Sequence, residues 1–137
     1  MQAIRSVVAI LVGLAAISLL VEPLEFALVA LVNGGIETDP AAYLAVRNQP
    51  WFLALKLAYN FGGGLAGGYL AAWLAPREPA AHGFALAILQ GMILLWAMSD
   101  PELGSTAPVW AWLGVALTTG AGIIGGAAQR AARTPAD

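Results

Sequence analysis

The stretch Phe61–Trp73, FGGGLAGGYLAAW, decides how the helices of this chain pack. Gly63 and Gly67 are four residues apart, as are Gly64 and Gly68, so each pair lies on one face of a helix. In lipid, helices associate through close van der Waals approach, which small residues allow. So many glycines cost helix propensity, up to about 1 kcal/mol each in water, and tight helix contacts would compensate for that cost. We therefore predict a helix that packs through its glycine faces.

The same spacing recurs in the two apolar segments that follow. Gly83, Ala87 and Gly91 are four residues apart in the first of them, and Gly122 and Gly126 in the second. Three helices with glycine faces are more than a four-helix bundle needs for packing within one chain. We therefore expect one of these faces to serve a homo-oligomer or another membrane protein.

The composition is that of an integral membrane protein. Of the 137 residues, 60% are hydrophobic and only 10% are charged, and the mean hydropathy is +0.78. Soluble domains carry about 25% charged residues, so this chain has too few charges to cover a soluble surface. The net charge of −2 indicates no nucleic-acid partner. The chain has no cysteine, which excludes disulfides and thiolate metal ligands.

Four segments are long enough to cross a bilayer, which takes about 20 apolar residues. They cover about residues 7–32, 51–75, 81–98 and 109–128. The sequence thus predicts an all-α, four-transmembrane-helix bundle in membrane lipid, built as two antiparallel helical hairpins and forming one domain, residues 1–137. The glycine runs at 64–68 and 122–126 are similar, which is consistent with duplication of a hairpin or with chance resemblance.

The longest connection between two spans, residues 36–50, carries a helix start signal. Asp39 suits an N-cap and Pro40 a first helical residue. We predict a short helix along the membrane surface in this first outer loop, with a plain surface loop as the alternative.

The distribution of basic residues predicts the orientation. With the N-terminus inside, the cytoplasmic side holds Arg5, Arg77, Arg130 and Arg133, and the outer loops hold only Arg47. Both termini are therefore expected in the cytoplasm of a bacterium, with the chain in its inner membrane. The apolar run after Arg5 continues past any plausible signal cleavage site, so we interpret it as a retained helix.

Five polar residues fall inside the first two predicted spans: Glu22, Glu25, Lys56, Tyr59 and Asn60. Ionisable residues within a span are costly and are functional candidates by default. Counted inward at about 1.5 Å per residue, all five lie roughly 8–15 Å from the outer helix ends. Because the two helices are antiparallel neighbours, these residues are expected to form one intramembrane polar cluster.

The segment Val21–Phe26, VEPLEF, allows two interpretations. In the first, the span ends at Val21 and Glu22 lies at the membrane interface. Pro23 then bends the chain so that residues 26–32 pack over the bundle, and the Lys56 side chain extends to the lipid headgroups. In the second, Pro23 frees the backbone carbonyl of Leu19 inside the span and the two acids work there. A carboxyl group left without Lys56 as its partner could then carry a proton or bind a cation.

The stretch from Asn60 to about Ile88 resembles a pattern found in uncharacterised small four-helix bacterial membrane proteins. The similarity rests on a glycine-rich helix ending in Ala-Pro-Arg at 75–77, a Pro-Ala-x-His step at 79–82 and a glycine-bearing helix after it. The resemblance implies a four-helix integral membrane fold and brings no activity. The fluoride channels are similar to this chain in size, but their polar motifs are not evident in its sequence. The small multidrug transporters also carry an acid in their first helix, as Glu22 is here, but Pro23 and the second acid depart from their pattern.

No set of residues indicates an enzyme. The sequence has no Ser-His-Asp order and no HExxH motif, and His82 is the single histidine, so neither a metal site nor a cofactor is expected. Two hypotheses remain. The leading one is a non-enzymatic membrane protein that packs through glycine-rich helix faces. The alternative is a small oligomeric transporter or channel that uses Glu22 and Glu25 with Lys56.

Overall fold

The computed structural model describes residues 1–133, and all regular elements within that range are helices. The helices are α1 (Gln2–Asn33), α2 (Pro40–Arg47), α3 (Pro50–Leu74), α4 (Pro79–Ser99), α5 (Pro101–Gly104) and α6 (Val109–Ala132). The predicted all-α class is therefore confirmed. The four long helices correspond to the four apolar segments, and α2 is the short helix expected between the first two. The single turn α5 was not predicted.

Helix α1 is continuous through Pro23 and runs for 32 residues, about 48 Å at 1.5 Å per residue. The helix therefore continues past Val21 and Pro23, and the position along it at which the span ends stays a prediction. A proline removes only one backbone donor, and helices packed in a membrane tolerate that loss because neighbouring groups satisfy the freed carbonyl. The helix ends instead at Gly34, which adopts the left-handed conformation (φ 73°) that glycine allows.

The short helices begin at proline residues that follow an acidic cap. The Asp39 carboxylate accepts a hydrogen bond from the Ala41 amide at 3.1 Å, as predicted for the start of α2. Asp100 does the same for the amides of Glu102 and Leu103 at the start of α5. These caps satisfy donors that the first helical turn leaves free.

Three helices are long and apolar enough to cross a membrane, namely α1, α4 and α6. The sequence predicted a fourth, which corresponds to α3. Helix α3 has the length, at 25 residues, but Lys56, Tyr59, Asn60 and its glycines lower its hydropathy.

Helix α3 lies at the centre and packs most extensively on α6. The two glycine pairs meet across this contact. A β-carbon added at Gly64 would lie 3.1 Å from the Ile123 amide nitrogen, and one at Gly126 would lie 2.8 Å from the Tyr69 nitrogen. Added β-carbons at Gly68 and Gly122 would collide with backbone carbonyl oxygens of the facing helix. Residue numbers rise together along the contact, so α3 and α6 run in the same direction.

The other glycine pair of α3 faces α1. A β-carbon at Gly67 would lie 2.5 Å from the Ile17 side chain, and one at Gly63 would lie 2.6 Å from the Val21 side chain, so both would clash. Gly13 of α1, which the sequence analysis did not single out, would meet the Gly67 carbonyl at 2.8 Å. Here residue numbers rise in opposite directions, so α1 and α3 are antiparallel.

Helix α4 completes the bundle against α6. A β-carbon at Gly83 would collide with Ala127, while Ala87 packs on the buried cluster formed by Ile17, Ala71, Leu86 and Ile123. Gly91 differs, since a β-carbon there would meet nothing within 4 Å. Most of the glycines predicted to serve packing are thus used between helices of the same chain.

Candidate functional site

The Glu25 carboxylate of α1 is the centre of a buried polar cluster. Glu25 is only 8% exposed, and both of its oxygens have partners. Oε2 pairs with the Lys56 ammonium and accepts a hydrogen bond from the Tyr59 hydroxyl at 2.6 Å. Oε1 accepts from the Tyr43 hydroxyl at 3.4 Å and lies 3.8 Å from Nη1 of Arg47. One carboxylate therefore faces two cations and two phenols.

Two helices supply these four side chains in pairs. Lys56 and Tyr59 are three residues apart on α3, and Tyr43 and Arg47 are four apart on α2. Either spacing places both side chains on one helix face. The antiparallel pairing of α1 and α3 then brings the first pair to Glu25, as the sequence predicted from depth.

Helix α2 is held across one end of the bundle, which we call the α2 end; here α1 ends and α3 begins. Nη2 of Arg47 donates to the Thr106 carbonyl oxygen at 3.1 Å, and Nδ2 of Asn48 donates to the same oxygen at 2.8 Å. The Tyr43 ring stacks on Phe26, with ring centres 6.3 Å apart. These contacts tie α2 both to α1 and to the loop before α6.

The burial of Tyr43 has an electrostatic consequence. Partial burial raises the pKa of its phenol to about 12, and the nearby Glu25 carboxylate acts in the same direction because it opposes a second negative charge. The hydroxyl therefore remains a hydrogen-bond donor through the physiological pH range.

Asn60 belongs to the same region, but its amide does not contact Glu25. Its Nδ2 donates to the Lys56 carbonyl oxygen at 2.9 Å, and its Oδ1 accepts from the Thr119 hydroxyl at 3.4 Å. Asn60 and Thr119 are both buried, and the hydrogen bond between them joins α3 to α6 further from the α2 end than Lys56 and Tyr59. Side-chain hydrogen bonds of this kind commonly connect membrane helices.

Glu22 is separated from the cluster. Its side chain is exposed, and no residue in the range 1–133 donates a hydrogen bond to it or pairs with it. Although Glu22 and Glu25 are three residues apart, only Glu25 turns towards α3. The structure thus brings together Glu25, Lys56 and Tyr59 from the predicted set, and leaves Glu22 at the edge.

A cavity of about 600 Å³ opens beside this cluster. Its volume falls in the range typical of small-molecule sites, about 300–1,000 Å³. Most of its wall is apolar, contributed by Ile17, Val21, Leu53, Leu94, Ala111, Trp112 and Val115. The polar groups on the wall come from Ser18, Glu22, Glu25, Tyr43, Arg47, Lys56, Asn60 and Gln90. The cavity lies in the half of the bundle nearer α2, and its lining residues come from α1, α2, α3, α4 and α6.

Tyr43 and Arg47 are the cluster members that sequence reasoning missed. The signal was present, because they are four residues apart on the helix predicted in the first outer loop, and Arg47 is the only basic residue in those loops. The sequence placed that helix on the membrane surface, however, and nothing in it showed how α2 turns towards Glu25.

The site has no arrangement typical of a metal centre. Across residues 1–133, no three His, Asp or Glu side chains come close enough to hold a metal ion. The Glu25 oxygens, which could have served as ligands, already accept hydrogen bonds from three donors and lie near Arg47.

Comparison with protein-family models, with curated proteins and with solved structures finds no match to this chain.

Proposed function

We propose that this chain is an integral protein of the bacterial inner membrane, with four spans and both termini in the cytoplasm. Three helices have the length and hydropathy for spanning. Their packing supports α3 as the fourth, since buried residues extend along it from Phe52 to Ala72, about 30 Å. A central helix is covered by its neighbours rather than by lipid, so it need not be apolar.

Within that membrane, we propose that the protein binds a small amphiphilic molecule and carries out no chemistry on it. The observation that carries this proposal is the cavity of about 600 Å³, with apolar walls and the Glu25 cluster on one side. Largely apolar pockets with a few convergent polar groups are the usual form of small-molecule sites.

An open channel has less support. The cavity ends towards the middle of the bundle at the cluster formed by Ile17, Ala71, Leu86 and Ile123, each at most 3% exposed. The glycine contacts between α1, α3 and α6 continue beyond that point. A transporter would need this tightly packed half to open, whereas a binding protein needs only the cavity.

Association between chains through glycine faces also has less support than the sequence analysis indicated. The glycine pairs of α3 and α6 contact helices of the same chain, which leaves Gly91 as the predicted packing glycine with open space around it. A homo-oligomer remains compatible with the proposed binding function and is not needed for the cavity.

Trp112 provides the test, because it lines the cavity and is only half-buried. A variant that keeps Trp112 and replaces the other four tryptophans with phenylalanine would be titrated, in maltoside micelles, with single-chain amphiphiles. All would carry the same brominated chain, which quenches indole fluorescence on contact, but different headgroups: phosphoethanolamine, phosphoglycerol or trimethylammonium. We expect saturable quenching by at least one of them.

The matched control keeps Trp110 instead. Trp110 is two residues away on α6, is 55% exposed and does not line the cavity. Its quenching should rise with the amount of probe in the micelle without saturating. Identical, unsaturable quenching of both indoles by every probe would refute the proposed binding function.

A further inference from the structure

The charges on the cavity wall are divided into two groups. Glu25, Lys56 and Arg47 form one group, and because Glu25 carries a single negative charge against two cations, this group has a surplus of one positive charge. Glu22 forms the other group alone and carries one negative charge with no cation beside it. A ligand that matched the wall would therefore carry both signs.

Arg47 is the cation with spare bonding capacity. Its Nη2 is engaged with Thr106, and its Nη1 is 3.8 Å from Glu25, longer than a hydrogen bond. Its Nε is buried and has no acceptor among the described residues. Arg47 lines the cavity, so an oxyanion bound there would give Nη1 an acceptor at hydrogen-bond distance.

Glu22 is the matching site for a cation. It lies one helical turn from Glu25, so a ligand of headgroup size can reach from one charge group to the other. Because no described residue pairs with its carboxylate, an ammonium group bound in the cavity could pair with it.

The apolar wall indicates that the ligand also has a hydrophobic part. Val21 and Leu94 line the cavity from α1 and α4. The contact between these two helices at Gly13 and Leu86 lies nearer the other end of the bundle. An apolar chain bound between these two helices would continue into surrounding lipid.

We propose that the cavity binds a zwitterionic amphiphile. Its anionic group would lie at Arg47 beside Lys56, its ammonium group at Glu22, and its apolar chain between α1 and α4. This inference rests on the proposed binding function and adds the charge pattern of the ligand.

The test uses the Trp112 variant and the three brominated amphiphiles. We expect phosphoethanolamine to half-saturate the quenching at roughly tenfold lower concentration than phosphoglycerol or trimethylammonium, the effect of one charge-assisted contact. Glu22→Gln, which loses no internal contact, should abolish the preference for phosphoethanolamine over phosphoglycerol. Arg47→Gln should weaken both phosphates and leave trimethylammonium unchanged.

Each result bears on a different statement. Saturable quenching by all three headgroups with equal affinity, or a preference that survives Glu22→Gln, would overturn the zwitterion inference while the binding function stands. Unsaturable quenching throughout would overturn both. A last comparison uses free phosphoethanolamine, which has no apolar chain, as a competitor of the brominated probe. If it displaces the probe at the same concentration as the single-chain lipid with that headgroup, no apolar chain is recognised, and the inference is overturned.

Discussion

At the scale of single residues, Glu25 is the position on which stability depends most. Glu25→Gln would leave Lys56 and Arg47 as buried cations without their carboxylate. Breaking one side of a buried ion pair costs about 3–5 kcal/mol, and we expect the free energy of unfolding to fall by about 3 kcal/mol. Reversible unfolding of the purified protein in mixed maltoside and dodecyl sulfate micelles measures this.

Glu22→Gln is the matched control, since Glu22 is exposed and has no partner within residues 1–133. Its effect should stay within about 0.5 kcal/mol. A double variant, Glu25→Leu with Lys56→Met, should be more stable than Glu25→Gln because it leaves fewer uncompensated charges. Equal losses for Glu22→Gln and Glu25→Gln would contradict the assignment of the ion pair to Glu25.

Tyr43 makes stability depend on alkaline pH. Its pKa is raised from about 10 to about 12 in the folded protein, so folding favours the protonated phenol. This contribution is complete below pH 10 and is lost as the pH rises towards 12. The melting temperature of the wild-type protein should therefore fall more steeply over that range than that of Tyr43→Phe. Parallel curves for the two proteins would show that Tyr43 contributes nothing.

The sequence could predict the members of the cluster better than their partners. Counting residues along two antiparallel helices placed Glu25 level with Lys56 and Tyr59, because depth depends only on the rise per residue. Which acid faces α3 depends on the rotation of α1 about its axis. An apolar helix that meets lipid on several sides gives no periodic pattern from which to read that rotation.

At the scale of helices, the glycine contact between α3 and α6 sets how closely they approach. Gly68→Ala would place a methyl group against the Ile123 backbone, which cannot move aside as a side chain could. Overpacking of this kind costs about 1–3 kcal/mol. We expect a loss of that size in the free energy of unfolding in mixed micelles.

Gly91→Ala is the control for the same chemical change, because open space surrounds Gly91. It should be neutral or slightly stabilising, since alanine has the higher helix propensity. A loss at Gly91 equal to that at Gly68 would mean that the cost arises outside the contact between α3 and α6. A change in oligomeric mass with Gly91→Ala would instead support the oligomer expected from the sequence.

The spacing of the glycines predicted that these helices pack closely, but not which helices meet. Gly63 and Gly67 share one face of α3, and Gly64 and Gly68 share another, so two partners were expected. Spacing alone cannot say whether a partner belongs to the same chain. The structure assigns α1 to one face and α6 to the other, which removes the main reason for expecting a second chain there.

At the scale of the whole molecule, the central position of α3 explains why its hydropathy is too low for a membrane span although its packing supports one. Its polar and glycine residues lower its mean hydropathy, yet nine of its 25 residues are buried by neighbouring helices. A hydropathy scan treats every helix as though lipid surrounded it. The helix that forms the centre of a small bundle is the one for which that assumption fails most.

Four spans and three spans predict different sides for two loops, and the absence of cysteine makes the difference simple to measure. Gln49, Arg77 and Ser105 are all exposed, so cysteine at any of them would be the single thiol in the chain and open to reagents. If α3 crosses the membrane, a membrane-impermeant maleimide should label Gln49→Cys and Ser105→Cys on intact cells and should label Arg77→Cys only after permeabilisation. Arg77→Cys carries an additional risk, because removing an arginine that is predicted to be cytoplasmic weakens the charge bias expected to orient the chain. Ala80→Cys, in the first turn of α4, therefore serves as its partner. Labelling of Gln49→Cys and Ala80→Cys from the same side would place both ends of α3 on one face of the membrane, and the four-span arrangement would then be wrong.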